Sequence, residues 1–268
     1  MSAHPATRAY VARRTTEGLT ENEIIRCLKR YLTREVYAHL RTCPAAIGAG
    51  GLAASPVSGW RMTIMTSDGD TVALLGRALE QTAAIIAAIP VSQAGLATPC
   101  PGWDVAMLVR HLTAQDLRNF LASARGEAAD WQAPADELGQ DWAADFRDRA
   151  ARLTAVWQQA DLDQLLPMPG GGQSALRSRA DQQIAELAMH GWDLVVATGQ
   201  QTGLDPVLAE HALRWSRQML RPEYRGPDRA FGAEVPVPPD APAYQRLAGW
   251  FGRDPNWTPP GNTADRRP

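Results

Sequence analysis

The stretch from Asp181 to Gln200, DQQIAELAMHGWDLVVATGQ, constrains the fold more than any other part of the chain. Its apolar residues recur at helical spacing, which predicts one long amphipathic helix. Glu186 and His190 lie four residues apart, so both side chains project from one face of that helix. A carboxylate and an imidazole one turn apart can share a cation, but such a pair is also common as a solvated pair or a local hydrogen bond.

A cation site needs at least one further ligand from elsewhere in the chain, and His111 is the best candidate among the five histidines. It lies three residues after Leu108, so it is expected at the edge of an apolar helix face rather than on the water side. His211 ranks lower because its charged neighbours predict an exposed or interface position. His111 is therefore the residue expected to complete a site with Glu186 and His190.

The second half of the sequence is organised as helices separated by loops rich in proline and glycine. The predicted helices run from about Val72 to Ile89, Val105 to Arg125, Leu138 to Gln159 and Leu176 to Thr198, and a fifth follows the cap residue Asp205. Beyond them we expect a proline-rich strip and a short last helix. This pattern predicts an all-α fold with a four-helix bundle, an architecture that builds metal sites from inward-facing side chains.

The composition excludes several classes of protein. With 268 residues and 45% hydrophobic content, the chain is long enough for the core of one or two domains. A net charge of -2 gives no general attraction to nucleic acid or membranes, and no run of about 18 apolar residues predicts a membrane span. Three cysteines without a CxxC pair indicate neither a disulfide framework nor a thiolate zinc site. We therefore expect a cytoplasmic protein.

The first 66 residues differ from the rest of the chain. Residues 8 to 41 carry eight basic residues against four acidic ones, and their periodicity predicts a helix from about Glu21 to Leu40. Such a helix can lie along nucleic-acid phosphates, or its basic side can simply be solvated. The basic side chains on its polar face are Arg26, Lys29, Arg30 and Arg34. Residues 42 to 67 are rich in glycine, alanine and proline and predict a linker.

The basic segment resembles part of a known protein family. The string RAYVARRTTEGLTENEIIRCLKRYLTREVY resembles the C-terminal end of a family of insertion-sequence transposases, over about 35 residues and without a catalytic domain. The resemblance implies a transposase-like remnant rather than transposase activity. The predicted domains are thus a basic extension and linker at 1–66, a helical bundle at 67–258 and a disordered tail at 259–268.

Three motifs of the bundle carry a second resemblance. In chain order they are TPCPGWDVAMLVRHL, AELAMHGWDLVVATGQ and AYQRLAGWFGRDPNW. Together they resemble the DinB-like metal-binding family that includes the N-terminal domain of mycothiol-dependent maleylpyruvate isomerase, over roughly residues 70 to 257. The resemblance implies a divalent cation, usually zinc, bound by His111, Glu186 and His190.

Two further residues are candidates for supporting roles. Asp193 would orient a ligand histidine or else be exposed, and Arg110 would bind an anionic substrate or the carboxylate of a thiol. Three protein ligands leave a coordination position open, as in catalytic zinc sites. The resemblance implies that mycothiol or another small thiol reacts there with a small-molecule substrate.

The sequence leaves the activity open. Fewer than 50 residues follow the fifth helix, whereas the isomerase of the resembled family has a further C-terminal domain. A shorter thiol-dependent transferase or isomerase, or a metal-binding relative without turnover, is therefore expected rather than maleylpyruvate isomerisation. The alternative is a non-catalytic binding or regulatory module whose basic N-terminal segment contacts DNA. DNA binding by the bundle itself is not expected, and pairing into a homodimer is left open.

Overall fold

The computed structural model describes residues 68–131, 133–167, 173–220, 222–226 and 231–260. The chain divides into two compact units, and the larger one comprises residues 71–166 and 174–268. The smaller comprises residues 1–70 and 167–173, of which only 68–70, 167 and 173 are described. The predicted N-terminal helix, its basic residues Arg26, Lys29, Arg30 and Arg34, the linker and most of the predicted tail lie outside the described residues.

The described part of the chain is mainly helical, and the prediction of an all-α, DinB-like bundle is confirmed. Its helices are α1 (Asp68–Ala87), α2 (Val105–Arg110), α3 (Leu117–Ala124), α4 (Trp142–Trp157), α5 (Arg177–Thr198), α6 (Pro206–Met219) and α7 (Ala243–Trp250). A π-helical segment, His111–Asp116, joins α2 to α3. Two short strands, β1 (Leu165–Pro167) and β2 (Gln173–Ala175), pair with each other. Short 3-10 turns occupy Val91–Gln93 and Pro222–Tyr224.

Local sequence explains where several helices begin and end. The side chains of Asp104, Asp141 and Asp205 accept hydrogen bonds from backbone N–H groups of the following turn at 2.7, 2.9 and 3.0 Å. Such caps satisfy N–H groups that have no partner within the helix. Gly199 ends α5 in the left-handed conformation, with a φ of 65°, which glycine adopts without steric cost.

Two predicted helix starts differ from the structure by four residues. Helix α1 begins at Asp68 rather than at about Val72. The third predicted helix was expected to begin at about Leu138, but α4 begins at Trp142. The cap Asp141 determines this start, because its side chain accepts the hydrogen bond from the Ala144 N–H. Leu138 instead lies in the preceding loop and packs against the core from there.

Helix α5 is the central element of the larger unit. It contacts α2, α3, α6, α7 and the π-helical segment, and most of its side chains are buried. Gly191 allows α1 to approach closely, since a Cβ atom there would lie 3.3 Å from Ile85 Cδ1. The backbone beside His190 is thus closely packed, which holds the functional face of α5 in place. Among the described residues, no helix is long and apolar enough to cross a membrane.

The segment His111–Asp116, called the π turn below, is the main departure from the predicted helices. The predicted second helix has the expected extent, from Val105 to Ala124, but its middle is π-helical. In a π turn, backbone hydrogen bonds join residues five apart rather than four. His111 and Asp116 therefore lie one above the other, which ordinary helical spacing does not predict.

Candidate metal centre

Helix α5 and the π turn bring three donor residues together. One donor atom each from His111, Glu186 and His190 lies within 4.8 Å of the other two. The His190 Nε2 and Glu186 Oε2 atoms are 3.4 Å apart, and the two imidazole ring centroids are 5.3 Å apart at an interplanar angle of 85°. The three residues that the sequence suggested as ligands are thus neighbours in the structure.

On the α5 side, His190 is held by a chain of hydrogen bonds. Its Nδ1 donates to Asp193 Oδ2 at 2.9 Å, and Arg253 donates to the same carboxylate from Nη2 at 3.2 Å and from Nε at 3.4 Å. The Asp193 side chain is 0% exposed, so this contact is shielded from water. Because Nδ1 is engaged, the ring presents Nε2 to the Glu186 carboxylate.

The charges around His190 decide its protonation. Burial alone lowers the pKa of His190, but hydrogen bonds with Asp193 and Glu186 outweigh it and raise the pKa to about 10. Burial likewise favours a higher pKa for Asp193 and Glu186, but Arg253 and His190 hold the pKa of Asp193 below its usual value, and His190 does the same for Glu186. Without a cation, His190 is therefore an imidazolium between two carboxylates.

On the π-turn side, His111 is held differently. Its Nδ1 donates to Gln115 Oε1 at 3.0 Å, and Gln115 Nε2 donates to the Trp131 carbonyl oxygen at 3.0 Å. The second bond fixes the orientation of the amide, so Nδ1 carries the proton and Nε2 keeps its lone pair. Burial and the nearby charge of His190 lower the pKa of His111 to about 4. His111 is therefore neutral at physiological pH, which is the form that binds metals.

Trp103 and Cys100 form one wall of the site. The Trp103 ring packs edge-on against His111, with centroids 4.8 Å apart, and is nearly parallel to the His190 ring, with centroids 6.2 Å apart. Cys100 forms a second group of convergent donors with His190 and Asp193, also within 4.8 Å. The structure therefore places both residues beside the donor cluster.

Asp116 is the acidic residue of the π turn. Its Oδ2 lies 3.3 Å from His111 Nε2, and neither carboxyl oxygen has a hydrogen-bond partner among the described residues. Burial and the nearby charge of Glu186 raise the pKa of Asp116 well above its usual value. A buried polar group without a partner is unusual in a native structure and calls for an explanation.

Two other charged side chains named from the sequence lie away from the donor cluster. Arg110 is 45% exposed and its Nη1 lies 3.4 Å from Glu137 Oε1, so it is directed towards solvent. His211 was predicted to be exposed or at an interface, and it is not exposed: the residue is buried, and its Nε2 lies 2.8 Å from Asp181 Oδ1 of α5. The charged residues next to His211 in the sequence did not indicate this burial. The partner of His211 lies on another helix, so neighbouring residues do not reveal it.

Sequence reasoning did not find several residues that shape the site. Asp116 escaped notice because five-residue spacing places two side chains on one face only in a π turn. Arg253 lies 60 residues beyond Asp193 and meets it only through tertiary packing. Gln115 was a detectable signal, since it follows His111 by four residues on a predicted helix.

The donor set fits a divalent cation. Two imidazole nitrogens and a carboxylate oxygen are a ligand set that zinc accepts, with bonds of about 2.0–2.2 Å. Two donors of a tetrahedral ion at such distances lie about 3.3 Å apart. The separation of 3.4 Å between His190 Nε2 and Glu186 Oε2 is close to this value. Each histidine also has its other nitrogen bonded to an orienting acceptor, as metal-binding histidines commonly do.

Comparisons with known proteins find one matching family model and several similar proteins. Residues 75–195 match the family model of the mycothiol maleylpyruvate isomerase N-terminal domain. Two uncharacterized proteins of Mycobacterium tuberculosis, from strains H37Rv and CDC 1551, are each 29% identical over 191 residues, which is 66% of this chain and 94% of theirs. Crystal structures of mycothiol-dependent maleylpyruvate isomerase and of its histidine-to-alanine mutant align at 13% and 14% identity, with TM-scores of 0.42 and 0.46, over 59% of this chain and 71% of theirs.

Proposed function

Because residues 75–195 match the family model of the mycothiol maleylpyruvate isomerase N-terminal domain, we propose that this chain binds a divalent cation and uses it in a thiol-dependent reaction. The ligands are His111, Glu186 and His190, and the cation is zinc. The small thiol is mycothiol or a thiol of similar chemistry, and the reaction is an isomerisation or a group transfer on a small molecule.

One observation carries this proposal. Three donor atoms from two separate helical segments lie within 4.8 Å of one another, and both histidines are oriented by hydrogen bonds through Nδ1. A solvated Glu–His pair, the alternative on sequence grounds, needs neither the third residue nor these orienting bonds. Its exposure would also be greater, whereas the His190 side chain is only 10% exposed.

The protein's own residues prepare the site for such chemistry. His111 contributes a neutral imidazole, while Glu186 supplies a negative charge that matches a cation. A bound divalent cation favours the deprotonated form of a thiol and so provides a nucleophile at neutral pH. Trp103 covers the two histidine rings and keeps water from that side of the site.

The proton on His190 has to leave when a cation binds. Nδ1 keeps its hydrogen bond to Asp193, so the proton is lost from Nε2, the atom that faces Glu186. The buried Asp193 carboxylate and Arg253 keep the ring in place during this exchange. The α5 side therefore changes its charge without changing its geometry, which favours rapid and reversible loading.

The test uses the full chain loaded with cobalt(II), a spectroscopic substitute for zinc. Mycothiol is titrated into the protein while the thiolate-to-cobalt charge-transfer absorption is recorded. We expect a saturable band in the wild type and in His211→Ala, and no band in His190→Ala. A protein that binds cobalt but shows no band contradicts the thiol, and one that binds no cobalt contradicts the metal site.

Turnover is tested separately. Maleylpyruvate is the first substrate to try, because the matching family model is named for an isomerase of this compound. Any loss of maleylpyruvate is expected to require mycothiol, to stop after treatment with a chelator and to resume when zinc is added. Binding of mycothiol without loss of maleylpyruvate would leave a different substrate to be found and would support transfer over isomerisation.

A further inference from the structure

Asp116 is the least explained residue beside the donor cluster. It is 2% exposed, and both of its carboxyl oxygens lack a hydrogen-bond partner among the described residues. By contrast, Asp193, equally buried, accepts hydrogen bonds from His190 and Arg253. Burying a carboxyl group without partners destabilises a fold, so a group that persists there is expected to meet a partner from outside the chain.

Two other side chains of the same helical stretch also carry buried polar atoms that make no hydrogen bond among the described residues. Thr113 Oγ1 and Asn119 Nδ2, from the same helical stretch, are also buried without a hydrogen-bond partner among the described residues. These atoms lie three residues before and three residues after Asp116. Four buried polar atoms without a hydrogen bond among the described residues thus lie in and beside the π turn, and π turns are frequent at functional sites. This is the composition expected of a surface that contacts a polar ligand.

The position of Asp116 distinguishes it from the three ligands. Its Oδ2 is 3.3 Å from His111 Nε2, yet it does not belong to either group of convergent donors found among the described residues. It therefore lies beside the place of the cation, on the His111 side, rather than among the atoms that hold it. A small molecule that binds next to His111 Nε2 would lie within reach of this carboxyl group.

We propose that Asp116 binds the small molecule that this site takes up, with a carboxyl oxygen accepting a hydrogen bond from a hydroxyl, amide or thiol group of that molecule. The inference rests on the proposed function, because it needs a cation site for the ligand to enter. The π turn would then position His111 and also bind the small molecule through Asp116. Thiols with polar hydrogens next to the sulfur are the ligand class that suits such a contact.

The experiment compares two variants, Asp116→Asn and Asp116→Leu, with the matched control Asp181→Asn, all as full chains loaded with cobalt(II). We expect the Asp116 variants to keep their cobalt and to bind mycothiol at least about tenfold more weakly. Asp181 pairs with His211 outside the donor cluster, so Asp181→Asn should leave mycothiol binding unchanged.

Thermal melting of the same proteins without metal gives an independent result. Asp116→Leu removes a buried carboxyl group that makes no hydrogen bond among the described residues, so its Tm should equal or exceed that of the wild type. Asp181→Asn breaks a pair, so its Tm should fall. Gain of stability with loss of ligand affinity is the signature of a residue that serves binding rather than folding.

Three outcomes overturn the inference. Unchanged mycothiol affinity in both Asp116 variants shows that the carboxyl group does not touch the ligand. Loss of cobalt shows that Asp116 is a metal ligand instead, and a Tm lowered as in Asp181→Asn shows a structural role. Failure of the proposed function is distinguishable, because the wild type itself would then show no cobalt or no thiol band, and the melting comparison would still decide the role of Asp116.

Discussion

His111 and His190 present the same atom, Nε2, to one site, but the two sides that hold them are built in opposite ways. His190 lies on a regular α-helix, has both nitrogens engaged by carboxylates and has a pKa of about 10. His111 lies in a π turn, has a neutral amide as its partner and has a pKa of about 4. One histidine is charged and the other neutral at physiological pH.

The difference suits a site that stays intact both with and without the cation proposed for it. On the α5 side, a proton on His190 satisfies Glu186 and Asp193 when no cation is bound. On the π-turn side, no group among the described residues donates a hydrogen bond to either carboxyl oxygen of Asp116. The α5 side is therefore expected to determine metal affinity, and the π-turn side to determine what else binds.

The largest effect is expected from His190→Ala. It removes a ligand and breaks the chain to Asp193, so we expect metal affinity to fall by at least about a thousandfold. His211→Ala is the matched control, since it removes a buried histidine outside the donor cluster. Its metal affinity should match the wild type, although its Tm should fall because Asp181 loses its partner. Equal losses of metal in both variants, measured by competition with a chelator, would contradict the ligand assignment.

A smaller effect is expected from Asp193→Asn, which tests the α5 side without touching a ligand. The amide no longer balances the charge of Arg253 and holds His190 less firmly, so metal affinity should fall by about 10- to 100-fold. The pKa of His190, followed by NMR in the metal-free protein, should fall as well. An unchanged metal affinity would show that Asp193 serves only the packing of Arg253.

The two histidines are also expected to differ in how they respond to pH. His190 must lose a proton to bind metal, so affinity should rise about tenfold per pH unit from pH 7 towards its pKa of about 10. His111 is already neutral above its pKa of about 4 and should contribute nothing in that range. Isothermal titration in buffers of different ionisation enthalpy measures the protons released, and a value near zero at pH 7 would contradict the charged state of His190.

In the metal-free protein, His190 and His111 should also make the free energy of unfolding depend on pH in opposite ways. The raised pKa of His190 stabilises the fold fully below its unfolded value of 6.5, and this stabilisation is lost as pH rises towards about 10. The lowered pKa of His111 acts in the other direction, because unfolding takes up a proton between pH 6.5 and about 4, so stability falls on acidification through that range. Denaturant melts of His190→Ala and His111→Ala at several pH values separate the two contributions.

The smallest effect is expected from Gln115→Met, which removes the partner of His111 Nδ1 while keeping the side-chain length. The imidazole can then rotate or change tautomer, so metal affinity should fall by about tenfold or less. The comparison of the two sides predicts that this loss is smaller than that of Asp193→Asn. A larger loss would mean that the π turn, rather than α5, controls the metal.

What the sequence could predict follows from how local each feature is. Glu186 and His190 are neighbours because of helical spacing alone, and the caps at Asp104 and Asp205 could likewise be anticipated from adjacent residues. Arg253 and the partner of His211 depend on contacts between distant segments, which periodicity does not contain. The π turn depends on how α2 and α3 pack on α5, so the pairing of His111 with Asp116 could not be predicted either.

The most direct test of the metal site is the elemental content of the purified full chain and of His111→Ala, after dialysis against a weak chelator. His111 is the informative residue because it comes from a different segment than the other two ligands, so its effect requires the tertiary site. The account predicts close to one zinc per chain in the wild type and little in the variant. Metal in neither protein, or equal metal in both, would contradict it.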